Sequence, residues 1–389
     1  MSLPGVSVDV SGDRFQVVYH IRGDEEEALA RARAVCLEQT VEIPDDLVPE
    51  GDIRSHIVGR IESFKQLEDR RFETVISYAV ELSGFELTQL LNVVQGNSSM
   101  LPFVRVERLL LPSSLLAHFK GPRFGREGLR ELLGIPRRPL LCTALKPVGY
   151  GPGELAELAY RFALGGIDMI KDDHGIADQP FAPFEERVKC CADAVERANR
   201  QTGFKCIYVP NVTAPFDRVL QQARFARDAA AGALLFSPGL AGLDAMRYLA
   251  DDDRLALPIL SHPALQGSFV LSPDFGISHF ALHGQITRLA GADAVIYPNW
   301  GGRFGYSRED CRQIAAGCEI PMEGIRPIFP VPAGGMSLDR VPEMARTYGN
   351  DVVFLIGGGL HKHGPDLVES CRYFRHMAEQ MEHIDEGER

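Results

Sequence analysis

From Leu140 onward the chain repeats one unit. Short apolar runs fall at 140–145, 167–171, 205–210, 233–237, 257–261, 293–297, 326–331 and 351–356. Segments long enough for a helix separate them, among them 153–164, 183–200, 216–230 and 365–382. Each such connection carries the chain back across the sheet, so successive strands lie parallel. Eight parallel strands in about 250 residues match a (β/α)8 TIM barrel. A doubly wound open sheet is the other arrangement that fits the pattern. The barrel makes a further demand, that functional residues follow the strands directly. Those positions hold Lys146, then Lys171 to His174, Asn211, Ser237, His262, Asn299, Gly334 with Gly335, and Gly357 to Gly359.

The first 125 residues read differently. Strand alternation covers Arg14 to Ile21, and helical spacing covers Asp24 to Gln39. Strands are expected near His56 to Phe64 and Arg71 to Val80, a helix at Phe85 to Val94, and a strand at Phe103 to Leu111. The order β-α-β-β-α-β predicts a small α+β sandwich. The expected division is an N-terminal domain over 1–125 and a barrel over 126–389, with a short helix at Arg126 to Leu133 at the junction.

A net charge of -12 disfavours nucleic acid, whose phosphates call for basic surfaces. The 8 cysteines form no CxxC pair, which fits inert thiols in a reducing cytosol. No apolar run reaches the roughly 18 residues of a membrane span, and the N-terminal stretch lacks the pattern of a signal peptide. A cytoplasmic protein is expected.

The second apolar run ends in Lys171-Asp172-Asp173-His174. Asp173 offers a hard oxygen and His174 a nitrogen, so with Lys171 they form a candidate metal site. An ammonium has no lone pair, so Lys171 is a ligand only when neutral or converted by CO2 to a carbamate. The alternative is an internal Lys171–Asp172 ion pair with His174 exposed. Lys146, in Thr-Ala-Leu-Lys-Pro, is a candidate proton carrier or a surface lysine. Gly334, Gly335, Gly357 and Gly358 follow the last two strands, where barrel loops often hold phosphate on backbone N–H groups. Tight turns would need the same glycines. Arg303 lies on a glycine-rich loop that could close over a ligand, beside the single tryptophan, Trp300. His262, after the fifth run, joins the catalytic candidates. His279 and His283, four apart, read as packing residues.

The segments TALKPVGYGP, GGIDMIKDDHGIADQPFAPFEERV, VPAGGM and DVVFLIGGGLHKHGP together resemble the RuBisCO large-subunit superfamily, and Glu38-Gln39-Thr40 and Gly96-Asn97 also fit. The resemblance implies a ferredoxin-like N-terminal domain before the TIM barrel. It implies that Lys171 is carbamylated, that Asp173 binds Mg2+ or a similar divalent cation such as Mn2+, and that Lys146 is catalytic. It also implies a homodimer, in which Glu38 and Asn97 reach the partner's active site. Gly335, Gly357 and Gly358 match the cradle of one phosphate.

Departures from that pattern narrow the function. His174 stands in place of a metal-binding glutamate, and Val148 in place of a second active-site lysine. Pro263 and Ile296 replace an arginine and a histidine that contact the second phosphate, and Ala333 replaces a serine. Arg303 falls near the lysine that stabilises the carboxylated product. The expectation is a RuBisCO-like enzyme of the form IV type. It would enolise a monophosphorylated, sugar-derived substrate, as an isomerase or enolase or by carbon–carbon cleavage, and would not carboxylate ribulose bisphosphate. The alternatives are a non-catalytic regulatory protein that keeps the fold and, less in keeping with these departures, a true carboxylase.

Overall fold

The computed structural model describes residues 7–381. They form two compact units. The first runs up to Lys120 and takes in Gln266–Leu289 and Pro321–Ile325. The second comprises Gly121–Leu265, Ala290–Ile320 and the chain from Arg326.

In the first unit the antiparallel strands Arg60–Glu68, Arg71–Ala79, Arg14–Arg22 and Val104–Leu110 lie side by side in that order. A two-residue strand, Gly276–Ile277, extends the sheet in parallel beside Val104–Leu110. Alternation along Arg14–Arg22 puts Phe15, Val17, Tyr19 and Ile21 on one fully buried face. Helix Glu25–Glu38 opens on a capping box between Asp24 and Glu27 and buries Ala28, Ala32 and Val35. Helix Leu87–Gln95 buries Leu87, Leu90 and Val94. The β-α-β-β-α-β order and this sheet are the ferredoxin-like arrangement expected. The second strand begins at Arg60 instead of His56, because Ile53–Ile57 forms a π-helical turn. Gly59 then passes so close to the first helix that a β-carbon there would lie 3.0 Å from Cys36 Cα.

The second unit is the barrel. Its strands are Leu140–Leu145, Met169–Asp172, Ile207–Val209, Leu234–Phe236, Ile259–Ser261, Ala294–Pro298, Phe329–Ala333 and Val353–Leu355. They are numbered one to eight below. Parallel ladders run eight-one-two-three and four-five-six-seven. A parallel bridge between Asn211 and Leu235 joins strands three and four. Strands seven and eight also lie side by side, which closes the cylinder and excludes the open sheet. Cys142, Met169, Val209, Leu235, Leu260, Ile296, Val331 and Leu355 fill its interior. Helix Gly125–Leu133 adds Leu129 and Leu133 to that core.

The N-terminal ends of the strands carry paired charge. Asp168, just before strand two, takes both arms of Arg138 at 2.6 and 2.7 Å and the Leu141 N–H at 2.8 Å. Asp293, before strand six, accepts the N–H groups of Phe124, Gly125 and Ile259. Among the described residues, no helix is long and apolar enough to cross a membrane.

Candidate active site

Side chains alternate along strand two, and this sorts its charged end into two environments. Met169 joins the barrel core, while Asp172 meets Arg187 of the helix that follows the strand. Lys171 is 3% exposed, and its Nζ donates to the Asp172 carbonyl at 3.0 Å. The structure contains no Lys171–Asp172 side-chain pair among the described residues, because Asp172 is committed to Arg187, Tyr208 and the Asn211 N–H. Burial pushes the Lys171 pKa below the usual lysine range, and Lys146 adds to the effect. Cys142, Asp173 and Asp172 oppose it.

Asp173 lies at the centre of the polar cluster. Its Oδ2 is 2.5 Å from Lys146 Nζ, and its Oδ1 is 3.2 Å from His174 Nδ1. Oδ1 also accepts the Gly175 N–H at 3.0 Å. Burial alone would raise this acid. The Lys146 hydrogen bond, the Gly175 N–H and the Lys171 charge outweigh burial and bring its pKa to about 2. His174 reaches across to strand five, where its ring stacks on His262 at 4.3 Å between centroids and 14° between planes. His262 Nδ1 accepts the Ala264 N–H, so the neutral ring carries its proton on Nε2. Burial, then the charges of Lys171 and His174, depress His262 to about 2. Burial also lowers His174, with Asp173 opposing and Lys171, Lys146 and Arg303 adding. Lys146, Lys171, Asp173, His174 and His262 are thus one cluster, with Arg303 in electrostatic reach.

The two glycine clusters differ. Gly334 and Gly335 have φ of +79° and +90°, a conformation that L side chains avoid. Their loop interlocks with the one after strand six: a β-carbon on Gly302 would lie 2.1 Å from the Gly334 carbonyl oxygen. Gly357 and Gly358 follow strand eight, and a β-carbon on either would touch nothing. Packing therefore does not require glycine at those two positions, whereas close approach of a ligand to the backbone would. Gly359 is different, since its β-carbon would meet the Met336 carbonyl at 2.7 Å.

Trp300 packs on Tyr348 between the guanidinium groups of Arg308 and Arg340, and so anchors the loop that carries Arg303. His361 and His363 lie against Phe162 and Tyr373. His283 is fully buried and stacks on His279. In the first unit, Asn97 Nδ2 donates to Glu38 Oε1 at 2.9 Å. Gln39 sets this pair by holding the Asn92 and Val93 carbonyls and the Ser98 N–H. Sequence reasoning did not single out Arg187 or Tyr208, and it paired Asp172 with Lys171 instead of with them. The strand's alternation was the one available signal that Asp172 and Asp173 face opposite sides.

No group of three or more His, Cys, Asp or Glu able to hold a metal ion occurs among the described residues. Asp173 and His174 supply two donors. Lys171, if converted by CO2 to a carbamate, would add a third, an oxygen. With that conversion the set fits a divalent cation.

The model of the ribulose bisphosphate carboxylase large chain, catalytic domain, matches residues 125–383. The chain belongs to the RuBisCO large-chain family. Ribulose bisphosphate carboxylase-like protein 1 of Rhodopseudomonas palustris is 41% identical over 362 residues, 93% of this chain and 96% of that protein. The 5-methylthioribulose-1-phosphate isomerase of Rhodospirillum rubrum is 40% identical over 363 residues, 93% and 95% of the two chains. The crystal structure of a Rubisco-like protein from Rhodopseudomonas palustris superposes with a TM-score of 0.85 at 37% identity, covering 94% of this chain and 98% of the other. In this RuBisCO-like chain Ile296 is 3% exposed in the barrel core, and Val148 borders the Gly175 turn.

Proposed function

We propose that this RuBisCO-like enzyme isomerises a monophosphorylated ketose derivative by metal-dependent enolisation. The observation that carries the reading is the cluster of Lys146, after strand one, with Lys171, Asp173 and His174 at the C-terminal end of strand two, two strands round from the open glycines after strand eight. The similarity to a 5-methylthioribulose-1-phosphate isomerase supports a substrate of that class. Asp173, His174 and carbamylated Lys171 would hold Mg2+ or Mn2+. A divalent cation bound there supplies positive charge to the substrate oxygens as negative charge develops on them.

The two lysines take different parts. Lys146 is 42% exposed and Lys171 is 3% exposed, so Lys146 is the one that faces substrate and moves the proton. Its counter-ion is Asp173, at 2.5 Å. Engaging Asp173 as a ligand would take that partner away and free Lys146 to turn to the substrate. His262, neutral with its proton on Nε2, offers a hydrogen bond to a substrate oxygen. Gly334, Gly335, Gly357 and Gly358 hold the phosphate on backbone N–H groups, and Arg303 closes over it.

The functional unit is read as a homodimer. The exposed Glu38–Asn97 pair, held in place by Gln39, supports this as the part each subunit lends to its partner's site. All eight cysteines are free thiols, which supports a reducing, cytosolic setting.

The test is a screen of phosphorylated ketoses against metal-loaded, bicarbonate-treated protein in D2O. Solvent deuterium should enter the carbon next to the carbonyl of a good substrate. Metal-loaded protein that exchanges no proton on any ketose monophosphate would overturn the reading.

A further inference from the structure

Asp172 is fully buried and three donors from three positions converge on it. Tyr208 Oη lies 2.7 Å from Oδ1, and the Asn211 N–H and Arg187 Nε lie 2.9 and 3.2 Å from Oδ2. Two of these partners also grip the loop that carries Asp173 and His174. The Asn211 amide gives one hydrogen to the His174 carbonyl at 3.1 Å and the other to the Ile176 carbonyl at 2.9 Å. Its Oδ1 accepts the Thr213 N–H, so both amide hydrogens and the oxygen are in use. Arg187 Nη1 donates to the Ala182 carbonyl at 2.8 Å. One buried carboxylate therefore organises strand three and the helix after strand two, and through them holds the loop near both of its ends.

A buried ion pair is a poor way to gain stability, since apolar side chains of similar volume often serve as well. It does fix geometry. We propose that Asp172, Arg187, Tyr208 and Asn211 are the positioning residues of the cation site. They hold the main chain at 174–176 so that Asp173 and His174 present their donor atoms to one ion. The proposal rests on the reading that these two residues bind a divalent cation.

The experiment is Mn2+ titration followed by electron paramagnetic resonance, with thermal melting alongside. Tyr208→Phe keeps the ring and removes one bond to Asp172, and Asn211→Ala releases the two loop carbonyls. Asp168→Asn is the matched control, because it disturbs a buried carboxylate at the opposite end of the same strand. Groups that orient metal ligands commonly contribute about 10- to 100-fold in affinity, and a loss in that range is expected for Asn211→Ala. A smaller loss is expected for Tyr208→Phe. Asp168→Asn should lower the melting temperature and leave Mn2+ affinity unchanged. If Asn211→Ala does not fold, Tyr208→Phe carries the test alone. Unchanged affinity in the folded Tyr208 and Asn211 variants, or an equal loss in Asp168→Asn, would overturn the proposal. Wild-type Mn2+ binding that survives Asp173→Ala would instead overturn the cation reading beneath it.

Discussion

Barrel strand two carries buried aspartates at both ends, and the two ends use them differently. At the N-terminal end Asp168 meets Arg138 through two bonds and takes a backbone N–H as well. Every strong acceptor there has a matching donor. At the C-terminal end the charges are crowded and shared. Asp173 serves Lys146, His174 and the Gly175 N–H at once, and Lys171 is buried with no carboxylate of its own. Complete local pairing stabilises a fold. Incomplete pairing leaves groups able to exchange partners, which a cation or a substrate requires. Asp172 lies between the two cases, fully paired like Asp168 but placed to hold the reactive loop.

The largest expected effect separates the two ends directly. On the proposed function Asp173→Asn should lower kcat about a hundredfold or more, since a cation ligand and the partner of Lys146 would be lost together. Asp168→Asn leaves a buried arginine unpaired and should lose about 3–5 kcal/mol of stability, with kcat per folded molecule unchanged. Steady-state kinetics and urea unfolding of both variants check the contrast, and a collapse of kcat in Asp168→Asn would break it.

The second prediction concerns what the mouth can bind. Ile296 lies in the core and Pro263 has no N–H, so neither offers a donor to a second phosphate. An unpaired buried charge costs several kcal/mol, so a bisphosphate should bind roughly two orders of magnitude more weakly than a matched monophosphate. Calorimetry with such a pair measures this. Equal binding would mean that Arg303 supplies the missing partner.

Glycines give a sharper and smaller contrast. Gly302→Ala forces a methyl group against the Gly334 carbonyl oxygen and should destabilise by about 1–3 kcal/mol. Gly358→Ala meets nothing in the protein, so the melting temperature should hold. Its KM should rise about tenfold, or 1.4 kcal/mol, if phosphate rests on that backbone. An unchanged KM would reduce the strand-eight glycines to a turn.

The most gradual effect is a slope with pH. Folded His262 and His283 are held at about 2 and about 3 by burial. In the unfolded chain they take up protons near pH 6.5. Between those limits the unfolded state binds more protons, so their contribution is full above about pH 6.5 and is lost as pH falls. Each contributes at most about 1.4 kcal/mol per pH unit. Urea midpoints at pH 7.5, 6 and 5 should decline, and His283→Leu should flatten the curve. A midpoint that rises on acidification would contradict the burial of these rings.

Much of this was readable before any coordinates. Eight apolar runs separated by helices specify a barrel because each strand is buried on both faces and leaves an uninterrupted hydrophobic signal. The residues after those runs were then candidates by topology alone, and Lys146, Lys171, Asp173, His174 and His262 do meet. Other features left little trace. Gly276–Ile277 is too short to show alternation, and its pairing with Val104–Leu110 depends on residues far apart in the chain. The π-helical turns at Ile53–Ile57 and Phe280–Ile286 follow no apolar period that a strand or an α-helix would show. Asp172 was expected, if anything, to pair with Lys171. Strand alternation hints that it faces away from Asp173, and its partners, fifteen and thirty-six residues further on, show what it meets there.

The central claim is that the C-terminal end of strand two binds one divalent cation. Anomalous diffraction from crystals soaked in Mn2+ and bicarbonate tests it most directly. The account predicts a single strong peak within ligand distance of Asp173, His174 and extra density on Lys171 Nζ. A peak elsewhere in the barrel, or His174 turned away from the ion, would contradict it.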